Sequence, residues 1–245
     1  MRNSLAFLIL GSTMLATPAL ARNGAWYVGG DFGGMIVEDT NIDLGFGGSV
    51  IDKAVTFDND TGFDGALFVG YDLGAFRLEA EVSYKKAGVG DISTDIFLPG
   101  SISPGTYPAD SGNSSALSFM VNSMLDFGPD DGLSGFIGGG VGQARVSFSN
   151  VRVFSNAPAF LDDSDTAFAW QVLAGVRYPV GSNVDLTARY RFFNVNSLTF
   201  DDGSDRGKAR WRSHSVLAGI TYNFGGPPPP PPVYVPPPPP PPSPP

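Results

Sequence analysis

The sequence predicts an all-β fold: an eight-stranded antiparallel up-and-down transmembrane β-barrel, followed by a disordered polyproline C-terminal tail. Three observations predict this fold. Eight runs of about ten residues alternate between apolar and polar side chains, which is the period of a β-strand. Short and long links alternate between these runs. The mean hydropathy is close to zero, and no apolar run after residue 21 reaches the ~18 residues that a membrane helix requires.

The first 21 residues predict a secretory signal peptide, which places the barrel at residues 22–224. Arg2 supplies the positive start, residues 5–10 begin a short apolar stretch, and residues 19–21 give a small-x-small cleavage site. The apolar stretch is too short for an uncleaved membrane anchor. We therefore expect export and a mature chain that begins at Arg22.

The strand pattern is clearest over residues 76–85. Every even-numbered residue there is apolar or aromatic, and every odd-numbered residue is polar or charged. The eight predicted strands cover residues 26–36, 63–73, 76–85, 117–127, 136–146, 168–178, 184–193 and 214–224.

The links between these strands alternate in length. Those at residues 72–75, 128–132 and 180–183 are short and contain turn-forming residues such as glycine and proline. The links at residues 37–62, 87–115, 147–166 and 194–211 are long. In an up-and-down barrel all long links leave from one end, as they do in barrels of the bacterial outer membrane.

Alternation alone does not decide which face points inward, because a soluble ligand-binding barrel has the same period with its apolar face inside. Strands of about ten residues match a tilted membrane crossing, and the polar face, rich in glycine, serine and charge, would make a poor apolar core. Both features favour apolar side chains toward lipid. Aromatic residues near strand ends predict interface girdles: Trp26, Tyr27, Tyr71, Phe76, Tyr84, Phe127, Tyr178, Phe192, Tyr222 and Phe224.

Four short motifs resemble the OmpA-type and opacity-type eight-stranded outer-membrane barrels. They are Trp-Tyr-Val-Gly-Gly at residues 26–30, Val-Gly-Tyr at 69–71, the glycine-rich run at 138–142 and Leu-Ala-Gly-Ile-Thr-Tyr-Asn-Phe at 217–224. The resemblance covers nearly all of residues 24–224 and implies a location in the outer membrane of Gram-negative type.

The resemblance also implies partners. The closing octet is similar to the signal that the barrel-assembly machinery reads: Gly219, Tyr222 and Phe224 fit it, whereas Leu217 occupies a place that is usually polar. The proline-rich segment resembles the linker of OmpA-type proteins. The peptidoglycan-binding domain to which that linker leads is absent from this sequence, so cell-wall anchoring is not implied.

An eight-stranded barrel has an interior just wide enough for side chains to fill it. Charges inside it must pair, because an unpaired buried charge is costly. We therefore expect a network of ion pairs that plugs the barrel, and a charged gate for small solutes is the alternative. The predicted network consists of Arg77, Glu79, Glu81, Lys85, Asp126, Arg145, Arg177, Asp185, Arg189 and Arg191.

The long links are acidic and predict no metal site. Neither Asp58-Asn59-Asp60 nor the aspartates of residues 201–205 keep the full spacing of a calcium loop with its closing glutamate. The fourth long link and the residue that follows it also carry basic side chains, for which we expect contact with lipopolysaccharide phosphates near the outer rim: Arg206, Lys208, Arg210 and Arg212.

Composition argues against several other functions. The chain has no cysteine and one histidine, His214, which disfavours thiol chemistry and zinc sites. The net charge of −9 disfavours nucleic acid as a partner. Ser213 and Ser215 flank His214, but adjacent strand residues point to opposite faces, so neither serine suits a catalytic pair. We expect no enzyme activity and no cofactor, and the glycine runs lack the helix and lysine of a phosphate loop.

Residues 225–245 are almost entirely proline and predict an extended, stiff periplasmic tail. The sequence thus favours an outer-membrane structural and surface protein that contributes to envelope integrity and surface contact. A narrow low-conductance channel and a soluble periplasmic ligand-binding barrel are the alternatives. The expected partners are outer-membrane lipid and lipopolysaccharide, the barrel-assembly machinery, and a periplasmic partner for the tail.

Overall fold

The structure is a computed structural model, and it describes residues 24–46, 49–97, 103–109, 111–129, 131–152, 161–201 and 206–224. The predicted signal peptide and the polyproline tail lie outside the described residues. Among the described residues, no helix is long and apolar enough to cross a bilayer.

Ten antiparallel strands make up the described fold, and eight of them close into a barrel. In chain order they are β1 (Ala25–Val37), β2 (Thr40–Phe46), β3 (Ser49–Asp72), β4 (Phe76–Thr94), β5 (Gly105–Pro108), β6 (Ser111–Phe127), β7 (Ser134–Arg152), β8 (Leu161–Pro179), β9 (Val184–Asp201) and β10 (Arg206–Asn223). Around the barrel the eight long strands follow one another as β1, β3, β4, β6, β7, β8, β9 and β10. The first and last pair from Tyr27 opposite Asn223 to Val37 opposite Ser213, which closes the wall. The predicted eight-stranded antiparallel barrel is confirmed.

The two remaining strands are short and lie at the end of the barrel that carries the long links. β2 continues the wall where β1 stops: Thr40 lies opposite Phe57 of β3, and Leu44 lies opposite Gly207 of β10. β5 pairs with the end of β4, with Asp91 opposite Pro108. Neither strand was predicted, because both fall inside the predicted long links.

Tight turns close the opposite end of the barrel. Gly74 and Gly128 adopt positive φ angles of 94° and 104°, a region that glycine enters without the cost of a side chain. The Asp72 carboxylate accepts a hydrogen bond of 2.7 Å from the Gly74 backbone N–H. These turns lie at the predicted short links.

The wall has its apolar side chains outside. Leu78 and Leu186 are each 48% exposed, whereas Glu79 and Arg189 on the same strands are 1% exposed. Since the interior of a soluble barrel would show the reverse, the predicted orientation toward lipid is confirmed.

Aromatic side chains ring both ends of the apolar outer face. Trp26 and Tyr71 pack edge to face at 5.2 Å near the turn end, and Phe63 and Tyr84 lie 6.2 Å apart near the long-link end. Such girdles belong at membrane–water interfaces. Tyr27 was predicted for this girdle and is not part of it, because its ring points inward and is buried.

The strands extend further than the sequence predicts, by far the most toward the long-link end. β3 begins at Ser49 and β4 continues to Thr94, so much of the predicted first long link is strand. Beyond the upper aromatic girdle the polarity reverses: Asp58 and Asp60 are exposed, whereas Phe57 is buried. The barrel therefore continues past the lipid as a stalk with the polarity of a soluble protein, where a pattern of outward apolar residues no longer marks a strand.

Candidate functional site

The interior of the barrel is the most chemically distinctive region of the described structure. It buries twelve charged side chains, seven of them acidic and five basic. Alternate residues of the strands supply them, because every second side chain of a wall strand points into the bore. They are Asp31, Asp64, Asp72, Glu79, Glu81, Asp126 and Asp185, with Arg77, Lys85, Arg177, Arg189 and Arg191.

Arg77 anchors the part of the network nearest the turn end. Its Nε and Nη2 atoms donate to the two carboxylate oxygens of Asp126 at 2.5 and 2.8 Å, a bidentate pair. Its guanidinium also lies over the rings of Tyr27 and Phe136, at 5.6 and 5.2 Å from their centroids. Charge pairing and aromatic faces together replace the hydration that Arg77 loses on burial.

Arg189 and Arg191, two residues apart on β9, occupy the centre of the bore. Arg189 Nη1 lies 3.0 Å from Asp31 Oδ2, and its Nη2 lies 3.4 Å from Glu79 Oε1. Arg191 Nη1 donates to both oxygens of Asp64 at 2.8 and 2.9 Å, and its Nη2 lies 3.1 Å from Glu81 Oε2. Each guanidinium thus ties β9 to two strands across the barrel.

Neutral donors complete the coordination of the acids, which outnumber the bases. Tyr27 donates to Glu79 at 3.1 Å, Asn122 to Glu81 at 3.0 Å, and Ser215 to Asp64 at 2.7 Å. Because a buried carboxylate needs donors whether or not they carry charge, these groups stabilise the excess negative charge.

Lys85 marks the upper boundary of the network. Its Nζ lies 3.7 Å from Asp64 Oδ1, donates to Ser83 at 2.6 Å, and sits 4.1 Å from the ring centroid of Phe193. Phe193 belongs to a second, apolar layer, so Lys85 joins the two.

The second layer is an apolar core inside the part of the barrel nearer the long links. Phe57 and Phe148 pack at 5.8 Å, and Phe193 and Trp211 pack edge to face at 5.9 Å. All four are fully buried. Two successive layers of side chains therefore fill the bore: ion pairs nearer the turns, and closely packed apolar side chains nearer the long links.

Nine of the ten predicted network residues lie inside the barrel. Arg77, Glu79, Glu81, Lys85, Asp126, Arg189 and Arg191 form the contacts above. Arg177 and Asp185 lie buried nearer the turns, where Asp185 Oδ2 accepts a 2.9 Å hydrogen bond from Asn223.

Arg145 was predicted to face the bore and does not. It is exposed on the outer wall of β7, where its guanidinium donates to Ser164 at 2.8 Å, while Ala144 and Val146 on either side are buried. The prediction was wrong because Arg145 lies in the stalk, where polar residues face outward.

Two central acids were missed. Asp31 and Asp64 lie in glycine-rich strands, for which no inward face was assigned. A signal was present: Phe32 and Phe63 beside them are outward and exposed, so strict alternation predicts both aspartates to point inward.

Gly219, predicted as part of the assembly signal, has a packing role inside the barrel. A Cβ at this position would collide with Asp31 Oδ1 and with the Thr187 hydroxyl, so a larger residue would force the acid that pairs with Arg189 to shift. Tyr222 and Phe224 lie on the outer face and pack edge to face at 5.3 Å. That the barrel-assembly machinery recognises these two residues stays a prediction.

A polar cluster surrounds His214 on the outer wall. His214 Nδ1 lies 2.8 Å from the Tyr190 hydroxyl, and its Nε2 lies 3.1 Å from Glu38 Oε1. Arg212 donates to the other Glu38 oxygen at 3.3 Å. The hydrogen bond from His214, aided by Arg212, lowers the pKa of Glu38. Ser213 and Ser215 are buried and point into the bore, away from the ring. Among the described residues no group of three or more acids and histidines has metal-binding geometry.

Comparison with known proteins agrees with this architecture. The family model "outer membrane protein beta-barrel domain" matches residues 6–224. Outer membrane protein PagN of Salmonella typhimurium is 28% identical over 116 residues, which cover 43% of this chain and 48% of PagN, about half its length. An uncharacterised protein of Brucella suis is 24% identical over 251 residues, covering 86% of this chain and 87% of its own.

Among solved structures, the outer membrane protein OprG of Pseudomonas aeruginosa superposes with a TM-score of 0.51 at 13% identity, covering 84% of this chain and 99% of OprG. At this identity the likeness concerns the fold alone. The family match covers most of the chain, and the lipid-facing wall described above agrees with it. The chain therefore belongs to the outer membrane protein beta-barrel domain family and is a protein of the Gram-negative outer membrane.

Proposed function

We propose that this protein is a closed structural and surface barrel, which contributes to envelope integrity and presents its long-link end for surface contact. The observation that carries the proposal is the doubly filled bore. An ion-pair layer centred on Arg189 and Arg191 lies beneath an apolar layer that includes Phe57 and Trp211, all fully buried. A solute would have to displace both layers to pass.

The proposal includes the absence of enzyme activity. His214 has its two ring nitrogens engaged by Tyr190 and Glu38, and the neighbouring serines lie on the other face of the wall. A serine–histidine pair for acyl transfer needs the hydroxyl within ~3 Å of the ring. Altered lipid chemistry in cells that carry His214→Ala would contradict this part of the proposal.

Deletion of the gene tests envelope integrity against transport. We expect cells without the protein to take up a hydrophobic fluorescent dye faster, because the outer membrane loses a structural component. Restoration of the barrier by the wild-type gene is the control. A channel predicts a different result: unchanged dye uptake and slower entry of small hydrophilic solutes. That outcome would overturn the proposal.

A further inference from the structure

A polar cavity lies on the outer wall of the stalk, directly above the apolar face. Its volume is about 510 Å³, within the range of small-molecule sites. Its lining comes from β2, β3, β9, β10 and the link between β1 and β2. The ion-pair network inside the barrel does not reach it.

The outward face of β10 fixes the height of this cavity relative to the membrane. Read upward from the turn end, it presents Tyr222, Ile220, Ala218 and Val216, and then His214, Arg212 and Arg210. Apolar side chains thus give way to basic ones at the upper aromatic girdle. The cavity begins at Arg212, which is the level of the headgroups of the outer leaflet.

Hydrogen bonds hold the wall of the cavity in place. Arg212 Nε donates to Asn194 Oδ1 at 3.0 Å, Asn194 donates onward to Asn196 Oδ1 at 2.9 Å, and Glu38 fixes the other side of Arg212. Arg212 Nη2 has no hydrogen bond to the described residues. The guanidinium is therefore oriented in advance, with donors to spare for a ligand.

Two further cations face the same space. Arg210 is exposed and forms no ion pair with any described residue, and Lys53 lines the opposite side. Lys53 has a φ of 53°, and its backbone N–H donates to Asp43 Oδ1 at 2.8 Å. Three cations around one cavity suit a phosphate group, which guanidinium groups bind with two hydrogen bonds.

The rest of the lining distinguishes a phosphorylated sugar from a free anion. Asp39, Asp43 and Asn41 also line the cavity, and Asn41 keeps its NH₂ group available because its oxygen accepts from Thr56. Carboxylates repel a bare phosphate but accept hydrogen bonds from sugar hydroxyls.

From this combination we infer that the cavity binds the phosphorylated saccharide headgroup of an outer-leaflet glycolipid, with phosphate at Arg210, Arg212 and Lys53 and sugar hydroxyls at the acids and amides. The inference requires only the placement in the outer membrane and is independent of whether the bore is closed.

Binding of diphosphorylated lipid A to the purified barrel in detergent tests this site. The double variant Lys53→Gln/Arg210→Gln is expected to bind at least about tenfold more weakly, a loss of about 1.4 kcal/mol in binding free energy, because two of the cations that face the phosphate are removed. Lipid A stripped of its phosphates is expected to bind weakly to the wild type and no differently to the variant. Heat-modifiable gel migration verifies that each barrel is folded.

Lys86→Gln/Arg145→Gln is the matched control. It removes the same charge from the outer wall above the girdle, on β4 and β7, and is expected to bind as the wild type. Lys53→Arg/Arg210→Lys, which keeps the charges, is expected to retain most binding. Equal loss in the control variant, wild-type binding by the double variant, or displacement of the lipid by millimolar inorganic phosphate would each overturn the inference.

Discussion

Each central arginine in the bore holds two acids from two different strands, so removing one side chain takes the nearest cation from two buried acids. Arg191 is the clearest case, with Asp64 at 2.8 Å and Glu81 at 3.1 Å. Removing one partner of a buried ion pair destabilises a protein more than replacing the whole pair with apolar residues does. The reason is that the remaining charge stays buried without its nearest opposite charge.

We predict that Arg191→Met lowers the free energy of unfolding by about 3–5 kcal/mol, measured by urea unfolding of the refolded barrel in phospholipid vesicles. Arg145→Met is the control: its side chain is exposed, and the expected change is within about 0.5 kcal/mol. Equal stability of the two variants would mean that Asp64 and Glu81 do not depend on Arg191.

Gly219 allows packing and assembly to be tested separately. We predict that Gly219→Ala destabilises the purified, refolded barrel, because the new methyl group collides with Asp31 and Thr187. Gly34→Ala is the control, since a Cβ at Gly34 meets nothing within 4 Å. Refolding is done without any assembly machinery, so a Gly219→Ala barrel that is normal in vitro but fails to assemble in cells would assign Gly219 to the signal alone.

At the scale of the strand, the reversal of polarity along β3 and β4 defines where the membrane ends. The chain has no cysteine, so single cysteines report accessibility without background. We predict that a membrane-impermeant maleimide labels Asp60→Cys and Arg145→Cys on intact cells and fails to label Leu67→Cys and Leu186→Cys. Labelling of the leucine positions would place the lipid boundary elsewhere.

The seam between β1 and β10 is expected to loosen in acid at its upper end. Hydrogen bonds from His214 and Arg212 lower the pKa of Glu38, so the folded state favours the carboxylate. That stabilisation is present above the ordinary pKa of 4.5 and is lost as the pH falls through the lowered folded value.

Hydrogen exchange near Val37 and Ser213 measures this effect. We predict faster exchange in the wild type as the pH falls below about 4.5, once the intrinsic acid dependence of exchange is subtracted. Glu38→Gln should already exchange faster at neutral pH and show no such additional change in acid. A wild type whose corrected exchange does not vary with pH would contradict the role of Glu38.

At the scale of the whole molecule, the lipid-facing wall followed from period-two alternation, because a membrane imposes one polarity on all eight strands at once. Alternation put Leu78 and Glu79 on opposite faces, and the strand length together with a polar face unsuited to a core put Leu78 outside. The stalk was not recoverable in this way: beyond the girdle the solvent is water, the rule inverts, and residues such as Arg145 and Phe57 were misread or overlooked.

The pairs inside the bore could not be read from the sequence either. Which acid meets Arg189 depends on the register of strands far apart in the chain, and Asp31, which reaches it, occupies space that Gly219 leaves open. The apolar upper layer depends equally on side chains that converge from many strands, none of which signals the layer alone.

Recording of the purified barrel in a planar lipid bilayer tests most directly whether the bore is closed. With two filled layers in series, we predict an electrically silent membrane at neutral pH, while a porin inserted in the same bilayer gives clear current steps. Reproducible, ion-selective steps from the wild-type barrel would contradict a closed bore.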